Sequence, residues 1–313
     1  MNRWRVSEEA AGTRLDKYLA SEERLGSRHR AVEALARRKV FINAREAARA
    51  DAAVLLRAGD EVRLWMDRPG TSRRPRSIGE HRDLAIVYED AAIVVLDKPP
   101  GVLSVPLPRR SEARSVYDDL RAYLKRHAVY RLFVVHRIDR DTSGLVLFAK
   151  TARAQEQLRN QFKRHEPERV YVALVYGQLR PSSGTWRDRL VWDENALVQK
   201  ETHPRDPAGK EAICHYRLVE QFENAALIEV SLVTGRRNQI RLQARLHGHM
   251  LVGEQRYTFG PERLRTISFP RQALHAHRLT FRHPANDRAM RFESPLPPDM
   301  AELVRKLKAK TEK

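Results

Sequence analysis

Two short apolar runs in the middle of the chain, residues 132–135 and 145–149, enclose a densely charged segment. Both runs have the length and the β-branched or aromatic side chains that are typical of strands. Between them, residues 141–144 (Asp-Thr-Ser-Gly) have the composition of a turn. The sequence therefore predicts two strands that hold a charged loop, which is a suitable scaffold for a positioned catalytic group. Local features alone favour a charged turn whose side chains are solvated over a catalytic loop.

The net charge limits the kinds of partner. The 313 residues include 59 Lys and Arg against 40 Asp and Glu, a net charge of +19, which favours phosphate-rich polymers or anionic membrane surfaces. No apolar run has the length of a membrane span, and the N-terminus lacks the apolar core of a signal peptide. Cys214 is the one cysteine, which excludes intrachain disulfides and thiolate metal cages. We therefore expect a cytoplasmic protein without a membrane partner.

The first 66 residues have the pattern of a small separate unit. Residues 14–19 predict a short helix, and Ser27 is a suitable N-cap for a second one. Residues 40–43 and 59–65 have the pattern of short strands. The apolar positions of the two helices are Leu15, Tyr18, Leu19, Ala31, Val32, Leu35 and Ala36. We expect these side chains to form the core of the unit.

A change of composition separates this unit from the rest of the chain. Residues 67–82 are rich in Pro, Gly, Ser and Arg and have no hydrophobic period, which predicts a linker. A larger domain, residues 83–300, then contains the apolar pattern of several strands and of a helix that Ser115 caps. Residues 301–313 are basic and poor in apolar side chains, and they are expected to form a tail.

Residues 136–145, which read His-Arg-Ile-Asp, two further residues and Thr-Ser-Gly-Leu, resemble the signature of the RluA family of RNA pseudouridine synthases. Three other segments are similar to family motifs: the Lys-Pro-Pro-Gly turn at 98–101, Arg-Val-Tyr-Val-Ala at 169–173 and Thr-Gly-Arg-Arg-Asn-Gln-Ile-Arg at 234–241. The resemblance covers nearly the whole chain. It implies an α+β fold, with an S4-like RNA-binding domain before a synthase domain whose mixed, largely antiparallel central sheet is flanked by helices.

Several positions depart from the family pattern. Asn238 and Gln243 stand where the family usually has histidines, and Glu254 stands where it usually has Asp. In the S4-like unit, Asn43 is followed by Ala44 instead of the usual Gly, which weakens the prediction of a turn because Ala tolerates a positive φ poorly. Neither Asn238 nor Gln243 is the acid or the arginine of the implied chemistry, so we expect activity to survive.

The resemblance implies a catalytic set. A synthase of this family detaches uracil from C1′ of a uridine in RNA, turns the base and rejoins it through C5. Asp139 matches the family's acid, which either attacks the sugar or abstracts its 2′ proton. Arg241 matches the arginine that pairs with the acid, and Tyr171 matches the tyrosine that stacks on the uracil. The reaction involves no redox change or phosphoryl transfer, so we expect neither a cofactor nor a metal ion.

The resemblance also implies contacts to RNA. Arg137 would fill the stack that the flipped uridine leaves, since a duplex hides its bases. The other residues expected to contact RNA are His136 and Arg236 in the synthase domain and Arg14, Lys17, Arg28 and Arg30 in the S4-like domain. A solvated face is the alternative for these cations. The sequence further predicts that Asp141 is a turn residue bonded to the backbone amides of Thr142 or Ser143.

The expected function is the isomerisation of specific uridines to pseudouridine by a monomeric enzyme. Ribosomal RNA of the large subunit is the favoured substrate, because of the S4-like unit and the resemblance. The alternatives are a uridine of tRNA or, from a different class, an RNA-binding protein of ribosome assembly that has lost catalysis. The His-x-His pairs at 247–249 and 275–277 are interpreted as strand or loop histidines, because no cysteine accompanies them.

Overall fold

The computed structural model describes residues 2–36, 39–65, 84–107, 113–126, 131–258, 260 and 265–311. The chain divides into two compact units, Met1–Glu80 and His81–Lys313. The predicted linker, residues 67–82, lies outside the described residues.

The first unit is a four-stranded antiparallel sheet with two short helices. Its core contains the predicted Leu15, Tyr18, Leu19, Ala31 and Leu35, whereas the buried alanine of the last helical turn is Ala34 and not Ala36. The elements are β1 (Asn2–Arg5), α1 (Leu15–Leu19), α2 (Arg28–Ala36), β2 (Val40–Ile42), β3 (Arg45–Ala47), a 3₁₀ helix (Arg49–Ala53) and β4 (Glu61–Leu64), with the strands in the order β1-β4-β2-β3.

The turn between β2 and β3 forms although Ala44 replaces the glycine of the family pattern. Asn43 and Ala44 have φ values of 49° and 70°. The Asn43 side chain donates to Asp60 and accepts from the backbone N–H of Glu61, which ties the turn to the start of β4. These bonds offset the cost of placing Ala44 in the left-handed region.

The second unit is built on one large sheet. Its elements are β5 (Ala85–Glu89), β6 (Ile93–Lys98), α3 (Val116–Arg126), β7 (Phe133–Val134), β8 (Ser143–Ala149), α4 (Ala152–Lys163), β9 (Glu168–Tyr176), β10 (Ser183–Asp193), β11 (Val198–Glu201), β12 (Lys210–Gln221), β13 (Ala225–Leu232), α5 (Gln239–Leu246), β14 (Leu274–Arg282), β15 (Ala289–Glu293) and α6 (Pro298–Thr311). Among the described residues, the strands run in the order β11-β10-β12-β13-β9-β14-β8-β6-β5, with β15 beside β14 and β7 beside β8.

The pairing is antiparallel throughout this sheet except between β14 and β8. The predicted α+β class and the mixed, largely antiparallel sheet are therefore confirmed. The two apolar runs that enclose the charged segment pair with each other, as β7 and β8, and they leave residues 135–142 as the loop between them.

Alternating side chains of the central strands cover the two faces of the sheet. In β9, Tyr171 and Ala173 belong to a core on one face with α3 and α5, whereas Val172 and Leu174 pack on the other face with α6. This alternation is the two-residue period of a strand. Residues 301–311, which the sequence predicts as part of a tail, continue α6, and this helix buries Met300, Leu303 and Leu307.

Candidate active site

The loop before β8, which carries Asp139, is fixed by side chains from distant segments. Ser104 Oγ donates to the carbonyl oxygen of Ile138 (2.7 Å) and accepts from its N–H (3.1 Å). Lys98 Nζ donates to the carbonyl oxygen of Arg140 (2.8 Å). Arg271 donates to the carbonyl oxygen of Asp141 (3.0 Å). Side chains from distant segments therefore hold the backbone on both sides of Asp139.

Lys98 belongs to the Lys-Pro-Pro-Gly turn and is completely buried. Its ammonium group also donates to the carbonyl oxygens of Pro99 and Val102, so that three backbone acceptors surround it. Burial lowers the pKa of Lys98 to about 7, and the charge of Asp141 opposes this shift. The lysine thus ties the turn to the loop that carries the acid.

Gly144 allows β8 to approach β14 directly after this loop. Its φ is 108°, and a Cβ at this position would lie 2.3 Å from the carbonyl oxygen of Ala276. The Thr-Ser-Gly part of the motif therefore needs glycine for both its backbone conformation and its close contact. In the sheet, Ala276 pairs with Gly144 on one side and with Tyr171 on the other.

Two side chains of the segment around the start of α5 donate to one oxygen of Asp139. Arg241 Nη1 lies 3.1 Å from Asp139 Oδ2, and Asn238 Nδ2 lies 2.6 Å from the same oxygen. Asn238 has a φ of 51° and is buried, and its own Oδ1 accepts from Tyr257 (3.3 Å). The carboxylate is therefore oriented by a cation and by a neutral amide.

Arg241 is itself held by a buried carboxylate. Its Nε and Nη2 donate to Glu254 at 2.7 and 2.6 Å, and the Glu254 side chain is fully buried. Burial opposes ionisation of Glu254, but the bonds and charge of Arg241 outweigh it and keep the pKa of Glu254 below its usual value. Burial alone would lower the pKa of Arg241, but Glu254 and Asp139 raise it above its ordinary value. Both groups therefore stay charged at neutral pH.

Tyr171 completes the arrangement from β9. Its side chain is 8% exposed, and burial raises the pKa of its phenol, with a further contribution from the charge of Asp139. Tyr171, Asp139 and Arg241 line one small cavity of about 60 Å³, together with Arg137 and Asn238. A fixed carboxylate beside an aromatic ring and two cations suits a reaction at a sugar whose base lies against the ring.

Comparisons with known proteins agree with this geometry. A family model described as RNA pseudouridylate synthase matches residues 92–246. The chain is 36% identical over 307 residues to the uncharacterised RNA pseudouridine synthase YlyB of Bacillus subtilis, and the match covers 97% of each chain. The chain belongs to the RNA pseudouridine synthase family. It is therefore an RNA pseudouridine synthase, an isomerase.

Other relatives of the synthase are named ribosomal large subunit pseudouridine synthase D. The protein of Zymomonas mobilis is 35% identical over 318 residues, with 96% of each chain covered, and that of Escherichia coli K12 is 32% identical, with 97% of this chain and 93% of the relative covered. The structure of human RNA pseudouridylate synthase domain containing 4 matches the fold with a TM-score of 0.59 at 20% identity, over 72% of this chain and 93% of that one.

The structure brings the predicted catalytic residues of the synthase together, although their roles remain predictions. The three residues are separated by up to 102 positions in sequence, yet all of them line the same cavity. Arg137 and Arg236 line it as well, Arg137 being exposed and Arg236 half-buried, with a bond to the carbonyl oxygen of Glu211. These two arginines stand where a substrate in the cavity would meet them.

His136 differs from the other predicted RNA contacts. Its Nε2 accepts from the N–H of Leu147 (3.1 Å), and its ring stacks on Phe162 with a centroid distance of 5.0 Å. Burial, followed by the charge of Arg169, lowers the pKa of His136 to about 3, so the imidazole is neutral. These contacts bind the first residue of the motif to β8 and α4 inside the protein. His136 also lines an open cavity with Arg137 and Arg236, and its contact with RNA stays a prediction.

The predicted RNA contacts of the first unit are all exposed. Arg14 and Arg28 both pair with the buried Asp16, at 3.1 and 2.8 Å, whereas Lys17 and Arg30 extend from the surface of the two helices. The hydrogen bonds and charges of Arg14 and then Arg28 lower the pKa of Asp16 below its usual range. Asp16 therefore holds two of the four cations in fixed positions.

One prediction about the loop is wrong. Asp141 was expected to bond the amides of Thr142 or Ser143, but its carboxylate accepts instead from the adjacent Arg140. The N–H of Thr142 donates to the carbonyl oxygen of Asp139. A neighbouring guanidinium is the stronger donor for a partly exposed carboxylate. The turn is closed by the backbone and needs no side-chain acceptor.

Sequence reasoning missed the residues that support the catalytic set. Asn238, Glu254 and Tyr257 orient Asp139 and Arg241, and Ser104 and Arg271 fix the loop. In the sequence, Asn238 and Glu254 stand out only as departures from the family pattern. Their residue types are the signal that could have identified them. Asn238 still supplies an amide that donates to Asp139, and Glu254 still supplies a carboxylate that accepts from Arg241.

Gln243, which also replaces a family histidine, lies away from the acid. It is completely buried and donates to Asp188 and to the carbonyl oxygen of Ala212.

Within the described ranges, no group of three or more His, Cys, Asp or Glu could hold a metal ion. None of the helices in that part of the chain is both long enough and apolar enough to cross a membrane.

Proposed function

We propose that this synthase isomerises one or more uridines of large-subunit ribosomal RNA, with Asp139 as the group that acts on the ribose. The observation that carries the mechanism is the orientation of Asp139. Arg241 and Asn238 both donate to Oδ2, and Oδ1 has no hydrogen-bond partner among the described residues. A carboxylate with one oxygen fixed and the other open is suited to attack C1′ or to take the 2′ proton.

After uracil is detached from C1′, it must turn and rejoin through C5, and both steps need a surface that retains the free base. Tyr171 offers a buried aromatic face beside Asp139, and the raised pKa of its phenol keeps it neutral. A neutral ring stacks on a base without an unfavourable charge, so the base can turn and present C5 to C1′. Arg137, which is exposed and also lines the cavity, would fill the gap in the RNA stack when the uridine has been flipped out.

Ribosomal RNA as the substrate is supported by two observations. The relatives from Zymomonas mobilis and Escherichia coli carry names that refer to the large ribosomal subunit and match nearly the whole chain. The first unit presents the exposed cations Arg14, Lys17, Arg28 and Arg30 on two short helices, as expected of an S4-like RNA-binding domain. We include in the proposal a monomeric state and a cytoplasmic location.

The experiment is to sequence RNA from a strain that lacks the gene, before and after incubation with the purified synthase. Pseudouridine is mapped by carbodiimide-dependent stops of reverse transcription. The proposal expects stops that are lost from large-subunit rRNA in the deletion strain and restored by the enzyme. Stops restored only in tRNA would refute the choice of substrate and leave the reaction intact.

A shortened protein tests the role of the first unit. Removal of residues 1–66 should weaken binding of rRNA and broaden the set of modified uridines, because the four exposed cations are lost. Pseudouridine formation on short uridine-containing transcripts should persist, since the residues around Asp139 belong to the second unit. Unchanged affinity and selectivity would count against an S4-like function.

A further inference from the structure

A second, larger cavity lies next to the one that contains Asp139. Its volume is about 470 Å³, within the range of roughly 300–1,000 Å³ that is usual for ligand sites. The two cavities share Arg137, Tyr171, Leu232 and Arg236 as lining residues. A strand of RNA whose uridine occupies the first cavity would therefore pass the second with an adjoining part of its backbone.

The charge of this second cavity has one sign. Arg137, Lys163, Arg169 and Arg236 line it, together with the imidazoles of His136 and His165. None of the described residues that line it carries a carboxylate. The cavity is consequently a site of positive potential with low-dielectric walls, which attracts an anion more strongly than an open surface does.

Arg169 is the cation of this group that most needs a partner. Its guanidinium lies over the Phe162 ring at 5.5 Å, and its Nη2 reaches the carbonyl oxygens of Val233 and Thr234 only at 3.4 and 3.3 Å. Its Nε is buried and has no hydrogen-bond partner. Burial lowers the pKa of Arg169, because the structure desolvates the cation without pairing it to a described carboxylate. Such a cation is incomplete without an anionic ligand.

Gly235 keeps the space for this guanidinium. A Cβ at Gly235 would lie 2.5 Å from Nη1 of Arg169, so any other residue would push the guanidinium aside. Gly235 belongs to the segment 234–241, which also supplies Arg236 to this cavity and Arg241 to the acid. One segment therefore shapes both cavities.

We propose that this second cavity binds a backbone phosphate of the RNA next to the target uridine, with the half-buried Arg169 as the anchor and the exposed Lys163 as the cation at the rim. A guanidinium with free N–H donors suits phosphate oxygens. Binding the adjoining phosphate fixes the ribose relative to Asp139, and this interaction is the same before and during the reaction. It therefore contributes to KM rather than to kcat.

The test uses total RNA from a strain that lacks the gene, so it does not depend on whether rRNA is the substrate. Pseudouridine formation by full-length Lys163→Gln and Arg169→Gln is measured over a range of KCl concentrations. We expect KM to rise roughly tenfold for Arg169→Gln and less for Lys163→Gln, since the bond of a buried charged donor is stronger than that of a solvated one. The slope of log KM against log salt should fall by about 0.7–0.9 in each variant, the loss of one phosphate contact.

Arg153→Gln is the matched control, because Arg153 is exposed on the same helix as Lys163 and does not line the cavity. It should leave KM and the salt slope at the wild-type values. Arg169→Lys should recover most of the slope, because it restores the charge. A fall in kcat at unchanged KM would overturn the proposal. So would a slope of log KM against log salt in Lys163→Gln that equals the wild-type slope, and because Lys163 is exposed, misfolding cannot explain that result.

Discussion

Replacement of Glu254, the buried carboxylate that pairs with Arg241, is expected to lower both the stability and the activity of the protein. In Glu254→Gln the amide oxygen can keep the bonds that Oε1 accepts from Arg241 Nη2 and from the N–H groups of Arg256 and Tyr257. The amide nitrogen then replaces Oε2 and opposes Arg241 Nε, which donates to Oε2 in the wild type (2.7 Å). Two donors would face each other in a site without solvent, and Arg241 would keep Asp139 as its only counter-charge among the described residues.

The size of the effect follows from these contacts. Removing one partner of a buried ion pair costs about 3–5 kcal/mol. The second unit has 233 residues, from His81 to Lys313. For a unit of this size, a loss of about 3 kcal/mol lowers Tm by roughly 6–12 °C. Displacement of the Arg241 guanidinium by about 1 Å would also misplace Asp139, which lowers kcat by up to roughly a hundredfold.

Thermal unfolding of the full-length protein and single-turnover pseudouridine formation measure the two effects. The same substitution at Glu229 is the control, because its pair with Arg217 is exposed on the surface of the sheet and contributes less than about 1 kcal/mol. A Glu254→Gln protein that unfolds within 1–2 °C of the Glu229→Gln protein, roughly the effect of 0.5 kcal/mol, would refute the reasoning.

The pH dependence has a defined sign. The folded protein holds the pKa of Glu254 below its usual value, so the unfolded chain takes up a proton first when the pH falls below about 4.3. The stability that Glu254 contributes is therefore present above this pH and is lost as the pH falls through the lower pKa of the folded state. The difference in Tm between wild type and Glu254→Gln should narrow over this range. A constant difference would show that the carboxylate charge does not matter.

Three further substitutions test other parts of the account. Asn238→Gly removes the neutral donor to Asp139, and glycine tolerates the φ of 51° at this position. It should lower kcat roughly tenfold, and an unchanged kcat would exclude a positioning role for Asn238. Lys98→Met leaves the three carbonyl oxygens around the buried Lys98 ammonium group without their donor. It should destabilise the second unit by about 3 kcal/mol in urea unfolding, a result that an unaltered midpoint would contradict. Ala44→Gly should stabilise the first unit by about 0.5–1 kcal/mol in the same experiment, because it relieves a left-handed alanine, and a loss of stability would contradict this.

The strands and helices of the second unit could be predicted because their signals are local. Ser115 caps α3 as expected, by accepting from the N–H of Asp118, and Thr151 caps α4 in the same way, by accepting from the N–H of Ala154. The alternation that defines β9 follows from its sequence alone. These features depend on neighbours within four residues.

The supporting residues of the site could not be predicted, because their partners are distant in sequence. Ser104 and Ile138 are 34 positions apart, and Arg271 and Asp141 are 130 apart. Only the order of the strands brings them together. Asp141 differs, because the local turn pattern predicts a bond to the backbone amides whereas the carboxylate accepts from the adjacent Arg140.

The catalytic set was predicted through the resemblance, and the structure adds how Asp139 is oriented. The most direct test of the central claim is single-turnover pseudouridine formation by Asp139→Asn on RNA from the deletion strain, with RNA binding measured in parallel. We predict that product formation is lost and that the affinity for RNA stays within a few-fold of wild type, because in the proposed mechanism Asp139 acts on the ribose rather than on the phosphates. Product formed at a rate near that of wild type would contradict the assignment of Asp139.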